Sequence, residues 1–313
     1  MANTLLTPSV IAKKALANLY EQLCMVPLVY TDVSSEWGSQ KIGSTVTIRK
    51  PATFTAQTFN PAAPSITVQN ATETGVAVTL DQHKDVSFAI TTQDLTLRLE
   101  DFDAQFLNPA CEALAQAVDR AIIAQAKADF TQVAGDEYFP GTTTGPHDNW
   151  AHPEALIEAD RLLNIMNVPP SERSAVVGPT TRSKWLNSDI IKHADKSGDN
   201  AALRQGSIGN GLFGFNAFMT QNIVQPAGSP ATGQPTTEVG LAFHKTALAL
   251  ATAPLALPRS NTWGAMESYK GLSLRIVQDY DLDLKSDVIS VDILFGTKTL
   301  DANRGVLLRG DLA

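Results

Sequence analysis

The sequence has few of the residues on which secreted or redox-active proteins depend. Its 313 residues include only two cysteines, Cys24 and Cys111. Two are too few for a disulfide framework, and neither has the spacing of a metal site. Both lie in apolar, helix-like segments, so we expect two buried free thiols. The N-terminus lacks the basic-then-apolar order of a signal peptide, and the longest apolar run, residues 247–257, is too short to span a bilayer. We therefore expect a soluble intracellular protein.

Positive charge is also scarce. The chain has 24 Lys and Arg against 32 Asp and Glu, a formal net charge of −8. No cationic cluster is longer than Arg49-Lys50. A sequence-specific DNA-binding module shows the opposite balance, so this class is disfavoured. Hydrophobic residues make up 43% and charged residues 18%, which predicts a folded chain with a sizeable buried core.

One glycine motif offers a chemical alternative. Gly209-Asn210-Gly211-Leu212-Phe213-Gly214 formally matches the dinucleotide-binding fingerprint, which would make the protein a nucleotide-binding oxidoreductase. That fingerprint works where it follows a strand and opens a helix that faces the pyrophosphate. Here a helical, charged stretch precedes the glycines and a strand follows them. The order favours a glycine-rich turn over a cofactor site.

The remaining polar residues show no catalytic or metal-binding pattern. The five histidines form no zinc-type pair with Cys or Glu, and no serine lies in a nucleophile-elbow pattern. Asp279, Asp281 and Asp283 alternate along one predicted strand and could hold a hard cation. Solvated edge residues that discourage strand pairing are the favoured interpretation. We therefore expect no catalytic residue, cofactor or metal.

Hydrophobic periodicity predicts an α+β protein. Helices are predicted over residues 7–24, 153–167 and 180–191, strands over 174–179 and 215–224, and a strand-rich end over 272–308. Proline and glycine mark surface loops at 135–153 and 225–238. Strand patterns near Val46–Ile48 and Val76–Leu80 flank a long polar stretch. These two segments predict an extended hairpin without a core of its own, which a second molecule should complete.

A long helix is predicted over residues 109–130. Phe106, Leu114, Val118 and Ile122 recur at helical spacing and are the expected core positions of this helix. Asn108-Pro109 predicts either a kink or a new helix start, because proline fits the first helical turn. Little charge lies on any face, so both sides of the helix should be packed.

The chain resembles the major capsid proteins of tailed bacteriophages, which have the Hong Kong 97-like fold, and it is most similar to the podovirus coat protein branch. The resemblance rests on LAFHKTALALATAPLALP at 241–258 and GLSLRIVQDYDLDLKSDVISVDILFGTKTLDANRGVLLRG at 271–310. GSTVTIRKP and VTLDQHKDVSFAITTQD are similar to the two sides of the family's extended loop. FLNPACEALAQAVDRAIIAQA is similar to its long spine helix.

The resemblance implies an arrangement of segments. These are an N-terminal arm (1–40), an extended loop with its return strand (41–100), a peripheral domain made of the spine helix (101–139) and C-terminal strands (258–313), and an axial domain (140–257). Arg49, Lys50, Phe54 and Phe59 are the candidate inter-subunit contacts. Lys50 is also the positional candidate for a cross-link. The extra domain of larger relatives is expected to be absent, because only the loop 225–238 is available for it.

The implied function is self-assembly into pentamers and hexamers that form an icosahedral head shell around double-stranded DNA, as a structural protein and not an enzyme. DNA contact should be weak and non-specific, and the procapsid should be assembled in the bacterial cytoplasm. Scaffolding, portal and decoration proteins are candidate partners. No helical pre-sequence that could serve as an internal scaffold precedes residue 1, so we consider a separate scaffolding protein or a cleaved form of the chain. An encapsulin-like nanocompartment shell, which carries protein cargo, is the alternative with the same fold.

Overall fold

The protein is an α+β structure, as the sequence predicts. The computed structural model describes residues 12–17, 19, 23–31, 45–50, 54, 56–58, 61, 66, 68, 74–91, 106–136, 149–188, 191, 210–258, 263–269, 272–282 and 286–313. The α-helices with defined ends are α1 (Asn108–Asp129), α2 (Ala155–Ile165) and α3 (Pro179–Leu186). Residues 12–17 and 19 are also helical and are named the N-terminal helix.

Thirteen strands form three sheets within these residues. The strands are β1 (Thr45–Lys50), β2 (Thr74–Thr79), β3 (Gln82–Thr91), β4 (Gln132–Ala134), β5 (Arg173–Val177), β6 (Asn210–Leu212), β7 (Phe215–Met219), β8 (Gly240–His244), β9 (Leu248–Ala253), β10 (Gly264–Tyr269), β11 (Leu272–Asp281), β12 (Ser286–Thr299) and β13 (Gly305–Leu308). Strand β7 ends at Met219, so the predicted strand over 215–224 was too long. Its backbone turns after Thr220, where Asn222 N–H bonds the Thr220 hydroxyl.

The first large sheet is built around β12. Its order is β10-β11-β12-β3, and β9 pairs with the far end of β12; all of these pairs are antiparallel. Alternation along β12 places Ile289, Val291 and Ile293 on the buried face, and polar residues such as Asp292 alternate with them. The β-branched residues suit a pleated strand with one packed face.

Helix α1, the spine helix, packs against this buried face. Leu114, Val118 and Ile122 are each almost fully buried in the same core. Phe106 precedes the regular helix in a π-helical turn, is half-buried, and stacks on Phe88 of β3 with ring centroids 5.3 Å apart. Pro109 lies in the first turn of α1, where its missing N–H breaks no helical bond.

Leu114→Ala should lower the free energy of unfolding by about 2–5 kcal/mol, because it removes buried methyl groups and leaves a cavity. Chemical denaturation followed by circular dichroism measures the change. Glu112→Ala is the matched control, because Glu112 lies on the exposed side of the same helix. Equal midpoints for the two variants would contradict the packing of this face.

The described part of the predicted N-terminal arm belongs to this core. Leu16, Leu19 and Leu23 are buried against the spine helix cluster, and Met25, Val26 and Val29 continue the contact. Tyr30 then joins the edge of β9, since its N–H donates to Leu248 O at 3.0 Å and its carbonyl accepts from Leu250 N at 3.0 Å. Up to this point the segment is an internal element of the subunit.

The second large sheet has the order β4-β13-β8-β5-β7-β6. One of its faces lines a second core, and Val176, Leu241 and Phe243 on its other face belong to the first core. Helix α2 contributes Leu156, Ala159 and Leu163 to this core, and α3 contributes Trp185, whose indole N–H donates to Trp150 O at 2.9 Å. Each of the two large sheets combines strands from more than one of the predicted segments. Strand β9, before residue 258, pairs in the first sheet, and β13, near the C-terminus, pairs in the second. Strands that are distant in sequence therefore lie side by side in one sheet.

Helix α3 is capped by a buried carboxylate from a distant segment. Glu238 accepts from Thr180 N at 3.0 Å and from Thr181 N at 2.8 Å, and Gln225 also donates to it. Its Oε2 lies so close to Gly178 that a Cβ there would be 2.4 Å away. Burial raises the pKa of Glu238, but these donors outweigh it and hold the pKa below its usual value.

Glu238→Gln should lower the free energy of unfolding by about 1.5–3 kcal/mol at neutral pH, because an amide N–H₂ would face a backbone donor. A carboxyl whose folded pKa is lowered stabilises the fold above its unfolded pKa, and this contribution is lost as the pH falls through the folded pKa. The difference between wild type and variant should therefore shrink below about pH 4. Urea titrations across this range measure it, with Glu112→Gln as control. A constant difference would contradict the role of the charge.

Candidate assembly surface

Among the residues that the structure describes, the β1–β2 hairpin packs against the rest of the subunit at its base. Strands β1 and β2 pair with each other from Thr45↔Thr79 to Lys50↔Thr74 and form a separate two-stranded sheet. Val78 and Leu80 are buried at the base against Ala249 and Ala251 of β9. Two strands alone bury too little to be stable in water, so this small cluster holds the hairpin in place.

Beyond its base the hairpin presents apolar side chains to solvent. Phe54 is 65% exposed, and Ile66 and Val68 are each 83% exposed. Single exposed apolar residues are common, but three in the segment between β1 and β2 make that segment a candidate contact surface. We name Phe54, Ile66 and Val68 the hairpin contact set.

The backbones of Arg49 and Lys50 lie in β1 opposite Gly75 and Thr74. Phe59 lies outside the described residues. The sequence pattern identified the hairpin but did not single out Ile66 and Val68. Their signal was the alternation in SITVQ, which has apolar residues two apart in a polar segment.

A polar group missed by the sequence interpretation lies on the outer face of the first large sheet. Asp292, almost fully buried, accepts from Arg275 Nε at 3.0 Å and lies 3.0 Å from His83 Nε2. Ser87 of β3 donates a hydrogen bond to the Ser290 hydroxyl of β12 at 3.0 Å. Arg275 also donates to Ala256 O at 2.6 Å. The group ties β3, β11 and β12 together and satisfies the buried carboxylate, so its role is to fix the sheet.

The glycine motif forms a hairpin turn. Strand β6 covers Asn210–Leu212 and β7 begins at Phe215, and the two pair antiparallel. Phe213 and Gly214 have positive φ angles of 47° and 85° in the turn between them. No helix opens after the glycines, so the geometry that binds a pyrophosphate is missing and the oxidoreductase interpretation is wrong.

The described residues also bear on the possible cation site, the two cysteines and membrane insertion. Asp279 is exposed on β11, Asp281 is half-buried, and Asp283 lies outside the described residues. Among the described side chains, no group of three His, Cys, Asp or Glu could hold a metal ion. Both cysteines are free, Cys111 buried and Cys24 half-buried. Within the same part of the chain, no helix combines the length and apolar character needed to cross a membrane.

Comparison with solved structures defines the class of fold. A structure of Mycobacterium phage Che8 is similar with a TM-score of 0.65 and 23% identity, covering 91% of this chain and 90% of that one. The capsid of Cyanophage P-SCSP1u gives a TM-score of 0.60 at 17% identity, covering 87% and 85%. A virus-like particle from Pyrococcus furiosus gives 0.52 at 11%, covering 96% and 98%. The chain has the Hong Kong 97-like capsid fold, as predicted.

The family follows from the sequence itself. The sequence model of the P22 coat protein, gene protein 5, matches residues 3–240. The chain belongs to this family and is a phage major capsid protein, the structural subunit of a head shell. No curated protein matches it. The family match favours a viral capsid over the encapsulin-like alternative, which has no better support.

Proposed function

We propose that the subunit assembles into pentamers and hexamers of an icosahedral shell in which the hairpin lies across a neighbouring copy. The observation that carries this proposal is the hairpin contact set, three exposed apolar side chains in the segment between β1 and β2, whose base packs against β9. Burying them against a second copy would remove apolar area from water. Arg49, Lys50 and Phe59, in the same hairpin, are proposed as further contacts, with Lys50 as the cross-link candidate.

A closed shell uses one chemical interface many times with small changes of angle. Size-exclusion chromatography with electron microscopy of the purified protein, alone and with neighbouring gene products, tests this proposal. Capsomers, shells or sheets are the expected result. A protein that stays monomeric at high concentration in both conditions would rule out assembly through this surface.

The shell is proposed to enclose double-stranded DNA without binding it tightly. Phosphate neutralisation requires several clustered cations and weakens steeply with salt. The chain has net charge −8 and no cationic cluster longer than Arg49-Lys50. Free subunits should therefore give no measurable shift of a short duplex at physiological salt. A lysine-rich peptide serves as the positive control, and a tight, sequence-dependent complex would contradict the container role.

The subunit is proposed to act without catalysis, to assemble in the cytoplasm of a bacterial host, and to meet scaffolding, portal and decoration proteins there. The division into N-terminal arm, extended loop, peripheral and axial domains remains part of this proposal. DNA as the content of purified particles would support it, and a protein cargo in place of DNA would favour the nanocompartment.

A further inference from the structure

The spine helix carries one carboxylate in the middle of its buried surface. Asp119 is 0% exposed, and its helix neighbours Ala115, Ile122 and Ile123 are also buried. Both of its oxygens accept hydrogen bonds. Oδ1 accepts from Met25 N at 3.1 Å, and Oδ2 accepts from Cys24 N at 3.0 Å and from the Asn222 side-chain amide at 3.4 Å.

These donors come from two segments that are distant from the helix in sequence. Cys24 and Met25 directly precede the short 3₁₀ helix Val26–Leu28, at its N-terminal end, where N–H groups have no partner within the helix. Asn222 lies in the turn after β7, and Thr220 ties that turn to the second large sheet through its N–H to Val177 O at 3.1 Å. Asp119 therefore joins the N-terminal segment, the spine helix and the turn that follows β7 of the second sheet.

An apolar residue would meet the packing needs of this helix face at lower cost. Burial penalises the carboxylate and raises the pKa of Asp119, whereas its three donors lower it and only partly offset the penalty. The carboxylate supplies what an apolar side chain cannot, which is an acceptor for two backbone N–H groups at once. Asp119 therefore fixes the path of the backbone at residues 24 and 25.

We propose that Asp119 is a positioning residue for shell assembly, which holds residues 23–31 on the spine helix and so fixes where the chain departs toward the β1–β2 hairpin. Tyr30, bridged to Ala249 of β9, is the second anchor of the same segment. Only the assembly readout of this proposal rests on the hairpin role proposed above. The opening of the segment can be measured on the unassembled subunit.

The two native cysteines are well placed to report that opening. Cys24 is one of the residues that Asp119 holds, and Cys111 lies earlier on the spine helix, with its thiol 3.3 Å from Ala15 O. Burial raises the pKa of both thiols to about 12, and the charge of Asp119 adds to the effect at Cys24. Both thiols should therefore react slowly with a disulfide reagent until the structure around them opens.

The experiment compares Asp119→Asn with wild type in two single-cysteine backgrounds, Cys111→Ala and Cys24→Ala, using 5,5′-dithiobis(2-nitrobenzoate). When the rates are compared at equal thiolate fraction of Cys24, because loss of the Asp119 charge also changes that fraction, the labelling rate of Cys24 should rise about tenfold or more. The reason is that the amide can satisfy only one of the two backbone donors. The rate at Cys111 should stay unchanged, and the variant should form fewer or misshapen shells. Glu112→Gln, an exposed carboxylate on the same helix, should label and assemble as wild type.

A general loss of stability would raise the labelling rates of both cysteines together, and that result would overturn the proposal. Unchanged rates with normal shells would also overturn it. If Asp119→Asn does not fold, Asn222→Ala replaces it, because this variant keeps both backbone hydrogen bonds and removes only the link to the second sheet. It should give a smaller rise at Cys24 alone, and wild-type labelling with normal shells would then contradict the proposal. Loss of shells with unchanged thiol labelling would also overturn the proposal, because assembly would then fail without any opening of residues 23–31.

Discussion

Deleting residues 50–74 should leave a folded subunit that no longer forms shells. Of the residues in this segment that the structure describes, none belongs to the two large cores, and Phe54, Ile66 and Val68 are exposed. The buried base of the hairpin, Val78 and Leu80, stays in the shortened chain. The shortened subunit should therefore keep its stability. It should lose the contact with a neighbouring copy, and no other part of its surface should replace that contact.

Far-ultraviolet circular dichroism and a denaturation curve measure the folding of the deleted chain, and electron microscopy measures its assembly. Replacing residues 54–70 with a Gly-Ser segment of equal length is the matched control for chain length. It should also abolish shells, because it removes the contact set and keeps the connection. Normal shells from either chain would place the essential contacts elsewhere, and loss of folding would assign the segment to the core.

Gly296→Ala should be the most damaging single methyl addition among the glycines compared here. A Cβ at Gly296 would lie 1.9 Å from the Thr79 carbonyl oxygen and 2.8 Å from its carbon. These are backbone atoms at the corner where β2 passes into β3, so no side chain can rotate away. At Gly305 the nearest group is the Phe130 ring, at 2.2 Å, which can shift. Overpacking of this kind costs about 3 kcal/mol or more at Gly296.

Thermal and urea denaturation should both show this loss. Gly228→Ala is the control, because a Cβ at Gly228 meets no atom within 4 Å, and its stability should stay close to that of wild type. A Gly296→Ala subunit as stable as the control would mean that the β2–β3 corner does not cross β12 at this distance.

Local patterns in the sequence were sufficient for the elements but not for their pairing. The period of Leu114, Val118 and Ile122 predicts the spine helix, and alternation in DVISVDILF predicts β12, because both depend on neighbours along the chain. The partners of β12 are β3, β9 and β11, which come from three separate regions. Alternation shows which face of a strand is buried and does not show which strand lies beside it.

The buried polar residues were missed for the same reason. Asp119 takes its backbone donors from residues 94 and 95 positions away, and Glu238 takes its backbone donors from residues 57 and 58 positions away. Asp119 did leave a signal in the sequence, since a charge on the apolar face of a helix needs a partner. The sequence could therefore mark the residue as unusual, but only the fold identifies the donors. The helical period of the described N-terminal segment likewise does not reveal which core it enters.

The central position of β12 has a consequence for how the chain folds as it is made. Val86 and Phe88 of β3 pack on a core that is completed by β12, which ends at Thr299. A ribosome adding about 5–20 residues per second needs about 10–40 s to synthesise the chain between the two strands. During that interval the apolar face of β3 has no sheet to join. Folding of the first large sheet therefore waits until β12 has been made, and until then nascent subunits on one message expose the same apolar strands to each other.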